Sequence, residues 1–486
     1  MNLGDSIREG TRWLLTGNLA SRVIEFLFGV ALARILVPAD FGMLVTIQIF
    51  TGVAGYLAGS GMGQALIQAK TVDKRDFQIV FTIQLGICIL IYMAFYTIAP
   101  WFAIWFDNPL YTDLLRVSAL SFLLRPFNSI PRSCLQREMQ FKAIALSSVS
   151  GLICSGALSI NLALNGWGAW SLILGGLLGA VVSMIILTVA SPWSPRLRFN
   201  RNVAERLGTY GIKLTTNEII GYFHGQTGNL IISQLLGPGL VGLFNKADSL
   251  SRLPAQIIAG SAYQTVFRAL SKMQDNLDQS KYIYHRTITL VSTYTLPFYV
   301  GLWWLAEPFI EIVYGSKWLP AAKPLEILAL TGLFRCIANP SGAIIAAQNR
   351  LGYEIRITLE SWVILIVSCL TFIQWGIEGV AYAILLSAFY TTLRLIWLTN
   401  QCIGSTSKEL IIALQPSLCL NTLLFISLSL SHILIANDDL SSLQYFIFMS
   451  LIGIGTYVLS FLFLPIPALK GEVLRWKIKL RLAPVD

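Results

Sequence analysis

Apolar stretches of about twenty residues, each enough to cross a bilayer core about 30 Å thick, recur along the whole of this 486-residue chain. Hydrophobic residues make up 55% of it and charged residues 12%, where a soluble domain carries roughly 25% charged. Too little polar surface is left for a water-soluble globule. Inside a bilayer an apolar stretch of this length must satisfy its own backbone hydrogen bonds, which a helix does. The expectation is an all-α polytopic membrane protein. Fourteen spans are predicted, near 13–35, 41–62, 78–99, 113–131, 143–163, 168–190, 211–235, 241–262, 287–306, 322–346, 357–375, 379–400, 411–433 and 443–465. The first run, Trp13 to Leu36, is too long for a cleaved signal peptide and reads as a retained span.

The chain also repeats itself. Ala33-Arg34-Ile35-Leu36-Val37-Pro38-Ala39-Asp40-Phe41-Gly42 is echoed by Ser233-Gln234-Leu235-Leu236-Gly237-Pro238-Gly239-Leu240-Val241-Gly242. Pro100-Trp101-Phe102 is matched by Pro308-Phe309-Ile310, Ala119 to Arg125 by Ala329 to Arg335, and Gly168-Ala169 more loosely by Gly379-Val380. The offsets, 200, 208, 210 and 211, drift without losing order. An ordered duplication in an apolar chain predicts two pseudo-symmetric six-helix lobes, 1–195 and 196–403. Spans 13 and 14 and a basic tail, 404–486, fall outside it.

Net charge is +10, and its distribution reads mainly as an orientation signal rather than a nucleic-acid surface. Basic residues gather after every second span: Lys70, Lys74 and Arg75; Arg132, Arg137 and Lys142; Arg196 to Arg206; Arg268 to Arg286; Arg350 and Arg356; Lys408; and Lys470 to Arg481. The positive-inside rule then puts both termini in the cytoplasm, which an even number of spans requires. Both repeats enter from the same side, so their axis runs along the membrane normal. Trp101, Trp105, Trp303, Trp304 and Trp318 fall near span ends, where an aromatic belt is expected.

Enzyme signatures are missing. The sequence has no Walker A loop, no His-Glu-x-x-His, no Cys-x-x-Cys and no Gly-x-Ser-x-Gly. Seven cysteines lie in or beside spans without metal spacing and read as small core residues, so neither metal nor cofactor is expected.

Charge inside the spans is the informative exception, because ionisable groups in hydrocarbon normally face a polar interior. Asn18, Arg22, Glu25 and Gly29 share a helical face in span one. Lys213, Asn217, Gly221, His224 and Gly228 share one in span seven. Span eight carries Lys246, Ser249 and Arg252, with Asp248 between them. Asn18, Arg22, Glu25, Lys213, Asn217, His224, Lys246 and Arg252 are the candidate substrate-binding residues, lining a central cavity. Glu25, Glu218 and Asp248 are the candidates for ion coupling. Each has a duller reading: an Arg22–Glu25 intrahelical pair, Lys213 snorkelling, Lys246 at the outer interface. Arg125 and Arg335, repeat equivalents, read as anchors. An excess of cations suits an anionic ligand, phosphate above all. The Pro38/Gly42 and Pro238/Gly242 turns are expected at the outer ends, where a gate would close.

Three segments carry a resemblance beyond architecture: Pro131 to Phe141 (Pro-Arg-Ser-Cys-Leu-Gln-Arg-Glu-Met-Gln-Phe), Leu305 to Ala322, and Arg34 to Leu44. Over residues 5 to 400 the chain resembles the bacterial Wzx-type oligosaccharide flippases, in the branch typified by the colanic acid flippase, within the multidrug/oligosaccharidyl-lipid/polysaccharide exporter superfamily. That resemblance implies a fourteen-helix, two-lobed fold. It implies transfer of an undecaprenyl-pyrophosphate-linked oligosaccharide from the inner to the outer leaflet of the bacterial inner membrane. Membrane lipids, a polysaccharide polymerase and a chain-length regulator are the partners that go with this activity. By likeness to the lipid II flippases, Arg22 in Ser21-Arg22-Val23 would stand in the cavity. One departure matters: an Arg and an Asp common before the Asn-Leu of span seven are replaced here by His224 to Gly228, ahead of Asn229-Leu230. A cation-coupled multidrug exporter of the same superfamily and a membrane enzyme of polysaccharide assembly are the alternative readings.

Overall fold

The computed structural model describes residues 3–59, 62–63, 66–67, 72–259, 276–348, 350–435 and 440–482. Among them every regular element is a helix. In order these are α1 (Leu3–Ile35), α2 (Pro38–Leu57), α3 (Lys74–Trp105), α4 (Leu110–Arg137), α5 (Phe141–Leu164), α6 (Ala169–Ala190) and α7 (Arg201–Leu235). Then follow α8 (Pro238–Pro254), α9 (Leu277–Trp304), α10 (Ala306–Tyr314), α11 (Ala322–Ala329) and α12 (Thr331–Ala347). The chain continues through α13 (Leu351–Phe372), α14 (Gly376–Ile403), α15 (Ser407–Ile435), α16 (Ser442–Phe463) and α17 (Lys470–Lys479).

A helix lies over each expected span, except that residues 60–61 of the second and 260–262 of the eighth fall outside the described residues. Among the described residues eight stretches are long and apolar enough to cross a membrane, or ten when two bent pairs each count as one, and one of the eight, Gly352–Ile403, holds both α13 and α14. α4, α7 and α8 stand outside that set. Internal charge lowers their hydropathy: Arg116, Arg125 and Arg132 in α4, Glu218 in α7, and Lys246, Asp248 and Arg252 in α8. The bent pairs break at identifiable places. The chain turns 77° between α9 and α10, and 46° between the Ser316–Ala329 stretch and α12.

Contacts divide the chain into two compact units, Met1–Gly242 and Leu243–Asp486. In the first, α3 packs on α4, α4 on α6, α5 on α6, and α1 lies along α5. In the second, α9 packs on α12, α12 on α14 and α13 on α14. The third-to-sixth and ninth-to-twelfth spans therefore repeat the same pairings, which is the duplication read in three dimensions. α7 packs on α2 and α3, so the contact unit runs past residue 195, the expected lobe boundary.

Small residues set the close approaches, as expected where lipid supplies no hydrophobic drive between helices. Gly179 of α6 lies against the Gly151 carbonyl of α5, and Ser183 Oγ donates to the Ser147 carbonyl at 3.0 Å. Gly17 of α1 faces Ala145, while the Phe28 ring covers Gly156. Larger side chains fill the rest of each core: Ile47, Phe102, Leu114 and Ile173 in the first unit, and Tyr284, Ile288, Ile344 and Leu414 in the second. Trp101 and Trp105 are exposed near the end of α3, as a belt requires. Trp318 is not a belt residue. It is fully buried, because the Ser316–Ala321 turn folds its ring back toward Tyr314, 6.1 Å away between centroids.

Candidate functional site

The two copies of the repeated turn meet within the first unit. Pro38 and Pro238 each open a helix, where a missing N–H costs nothing. Gly237 supplies the left-handed φ of +85° that the second turn needs. The α-carbon of Gly42 faces the Pro238 carbonyl, and that of Gly242 faces the Pro38 carbonyl, so that a Cβ on either would collide with backbone. The contact is reciprocal. Just beyond it, Thr46 and Ser233 share a buried hydroxyl–hydroxyl hydrogen bond of 2.5 Å.

From this anchor α7 runs along α2. Tyr222 Oη donates to the Gln48 carbonyl at 2.7 Å, its ring meets Tyr56 edge-on at 5.4 Å, and Gly52 leaves room for the phenol. At roughly 100° per residue, His224 lies about half a turn from Tyr222 and Ser233, away from α2. The buried Asn229 donates to Gln226 Oε1 at 2.8 Å, and its own Oδ1 has no protein partner. Lys213 and Asn217 belong to the stretch of α7 whose side chains lie outside the described residues. Glu218, half-buried, sits closer to the Tyr222 side than to the His224 side.

On α1 most side chains from Leu15 to Leu27 are exposed, apolar and polar alike. Asn18, Arg22 and Glu25 are all exposed, turned about a quarter turn from the Gly17–Phe28 edge that packs on α5. Arg22 and Glu25 do not pair: no hydrogen bond or ion pair joins either one to another described side chain. The intrahelical pair that spacing allowed is therefore absent.

Span eight behaves differently. In the second unit the buried Asp248 accepts from Arg252 Nε with both oxygens, each at 2.9 Å. Arg335 of α12 stands within electrostatic reach of both and of Tyr299. Lys246 holds its ammonium 4.8 Å from the Tyr314 ring centroid and 5.7 Å from that of Trp318. After Pro254 the helix loosens into a π turn, Ala255–Ala259, a distortion frequent at functional sites. In the first unit Arg125, the repeat partner of Arg335, reaches the Cα of Gly55. Sequence reasoning read both arginines as anchors; the structure sets Arg335 among the charges of α8. It gave no role to Tyr222 or Gln48. The available signal was Gly52, a gap in α2 opposite an aromatic hydroxyl in α7.

Chemically, this arrangement offers guanidinium and ammonium groups on otherwise apolar helices. A family model described as "Polysaccharide biosynthesis protein" matches residues 31–323. An uncharacterized membrane protein in the cps region of Klebsiella pneumoniae is 24% identical over 464 residues, 94% of this chain and 95% of that protein. The lipopolysaccharide biosynthesis protein WzxC of Escherichia coli (strain K12) is 23% identical over 423 residues, 85% of each chain. Among solved structures, the lipid II flippase MurJ in an inward closed conformation superposes with a TM-score of 0.74 at 17% identity, covering 92% of this chain and 97% of its own. That likeness shows the fold.

Proposed function

The chain belongs to the polysaccharide biosynthesis protein family, and from that premise we propose that it carries an undecaprenyl-pyrophosphate-linked oligosaccharide from the inner to the outer leaflet of the bacterial inner membrane. It is a transporter rather than an enzyme. A sugar hydroxyl moved into hydrocarbon without a partner costs roughly 2–7 kcal/mol, and an oligosaccharide carries many besides its pyrophosphate. The polyprenyl tail is at home in lipid throughout. The protein's task is to shelter the polar head group while its lobes, 1–195 and 196–403, alternate between inward and outward openings. Both termini lie in the cytoplasm, and a polymerase and chain-length regulator receive the product outside.

One observation carries this reading: Arg22 and Glu25, three residues apart in an apolar span, stay unpaired with each other and exposed on one face. An unneutralised guanidinium at that depth is costly unless it meets water or an anionic ligand. Arg22, Lys213 and Arg252 engage the pyrophosphate or acidic sugars; Asn18, Asn217, His224 and Lys246 line the path beside them. For ion coupling, Glu25 is the strongest of the three carboxylates, because Asp248 is already held by Arg252 and Glu218 sits nearer the α2 side. Export that persists when the proton and sodium gradients are collapsed would remove the coupling role.

The test is Arg22→Ala in a deletion strain. Polymer export should fall to background with normal amounts of protein in the membrane, and Arg22→Lys should restore part of it. Wild-type export from Arg22→Ala would overturn the assignment.

A further inference from the structure

In the second unit a cavity of about 630 Å³ opens between α9, α10, α11, α15 and α16. That volume falls within the ~300–1,000 Å³ of small-molecule sites. Its walls combine two kinds of group. Trp303 and Trp304, adjacent at the end of α9, have ring centroids 5.5 Å apart. Past the 77° bend, Glu307 and Glu311 lie one helical turn apart on α10, and α11 adds Glu326, whose carboxylate holds Lys323 at 2.7 Å. Several of these polar groups are tied in place. Ser442 Oγ donates to Glu311 Oε2 at 2.6 Å, Trp304 Nε1 donates to Tyr445 Oη at 3.2 Å, and His432 Nδ1 lies 3.0 Å from the same hydroxyl.

We propose that this cavity binds the sugar portion of the transported head group, as a mono- or disaccharide, on the outer face of the protein; the proposal rests on the transport reading above. Indole faces suit the C–H face of a pyranose, and carboxylates accept from its hydroxyls. Three carboxylates against one ammonium repel pyrophosphate, so phosphate stays with the cationic residues of the spans while sugar is held here. The same charge excludes a polyprenyl chain, which gains nothing from a wall of carboxylates. Among the described residues no three His, Cys, Asp or Glu side chains converge as metal ligands, which sets this cavity apart from a divalent-cation site. The opposite end of α9 carries Lys281 and Arg286, the basic and therefore cytoplasmic side, so the cavity lies outside.

The probe is the oligosaccharide repeat released by mild acid from the polymer the cells export, free of lipid and pyrophosphate. Saturation-transfer NMR on the full-length protein in nanodiscs should show it bound. Trp303→Ala and Glu307→Gln should each weaken binding at least tenfold, whereas Val189→Ala, on the exposed face of α6, should leave it unchanged. Absence of transfer to the wild type, undiminished transfer to both cavity variants, or displacement of the sugar by spermidine at equal concentration would overturn the proposal. Export by Arg22→Ala at the wild-type level would instead strike the transport reading, leaving the NMR result to decide the cavity.

Discussion

α2 and α8 begin as copies of one another and end as different instruments. Each opens on Pro with Gly four residues on, and each Gly presses its backbone to the other copy's Pro. At the repeat offset of 200, Thr46 then corresponds to Lys246, Gln48 to Asp248, Gly52 to Arg252 and Gly55 to Ala255. The first copy uses these positions for close packing: Thr46 bonds Ser233, and Gly52 and Gly55 admit Tyr222 and Arg125. The second uses them for charge, an ion pair and a cation over aromatic rings. Duplication conserved the turn, which is backbone geometry, and freed the helix behind it to divide packing from chemistry.

Breaking the ion pair of α8 should have the largest effect. Arg252→Ala leaves the Asp248 carboxylate buried without its partner, a loss of ~1–3 kcal/mol, moderated because the arginine is partly exposed. Thermal unfolding in detergent reads this, and polymer export should fall with it. Adding Asp248→Asn should restore stability without restoring export, which separates the structural pair from the functional cation. The paired turns should cost as much in stability. Gly42→Ala and Gly242→Ala drive a methyl into a proline carbonyl and should each cost ~1–3 kcal/mol by the same assay, whereas Gly239→Ala, with open space around it, should change nothing.

A smaller loss, ~0.5–2 kcal/mol, is expected from Lys246→Met, which removes the cation over Tyr314 and keeps the stem. Tyr222→Phe should cost least, ~0.5–1.5 kcal/mol for one hydrogen bond to the Gln48 carbonyl. If Tyr222→Phe proved worse than Arg252→Ala, the division between a packing copy and a charged copy would be wrong.

How much of this was legible in the sequence follows from the same physics. Helix order was, because apolar length dictates most of the spanning helices, and the ordered motifs gave away the repeated pairings of α3 to α6 in α9 to α14. Helical period places Asn18, Arg22 and Glu25 on one side of α1 whatever lies opposite, but period alone does not say what that side meets. Pairing was not legible. Spacing permits Arg22 with Glu25 and Asp248 with Arg252 alike, and only three-dimensional surroundings select the second. Trp318 misled for a similar reason: its place near a span end suggested an interface, but a tight turn folds it inward. Tyr222 was invisible because its partner is a backbone carbonyl, which no residue type announces.

The most direct measurement asks in which leaflet the sugar resides. In spheroplasts of a deletion strain, the undecaprenyl-linked oligosaccharide should be shielded from periodate held outside the membrane. Wild-type protein should expose it, and Arg22→Ala should not. Equal oxidation in cells with and without the protein would contradict transport across the bilayer by this chain.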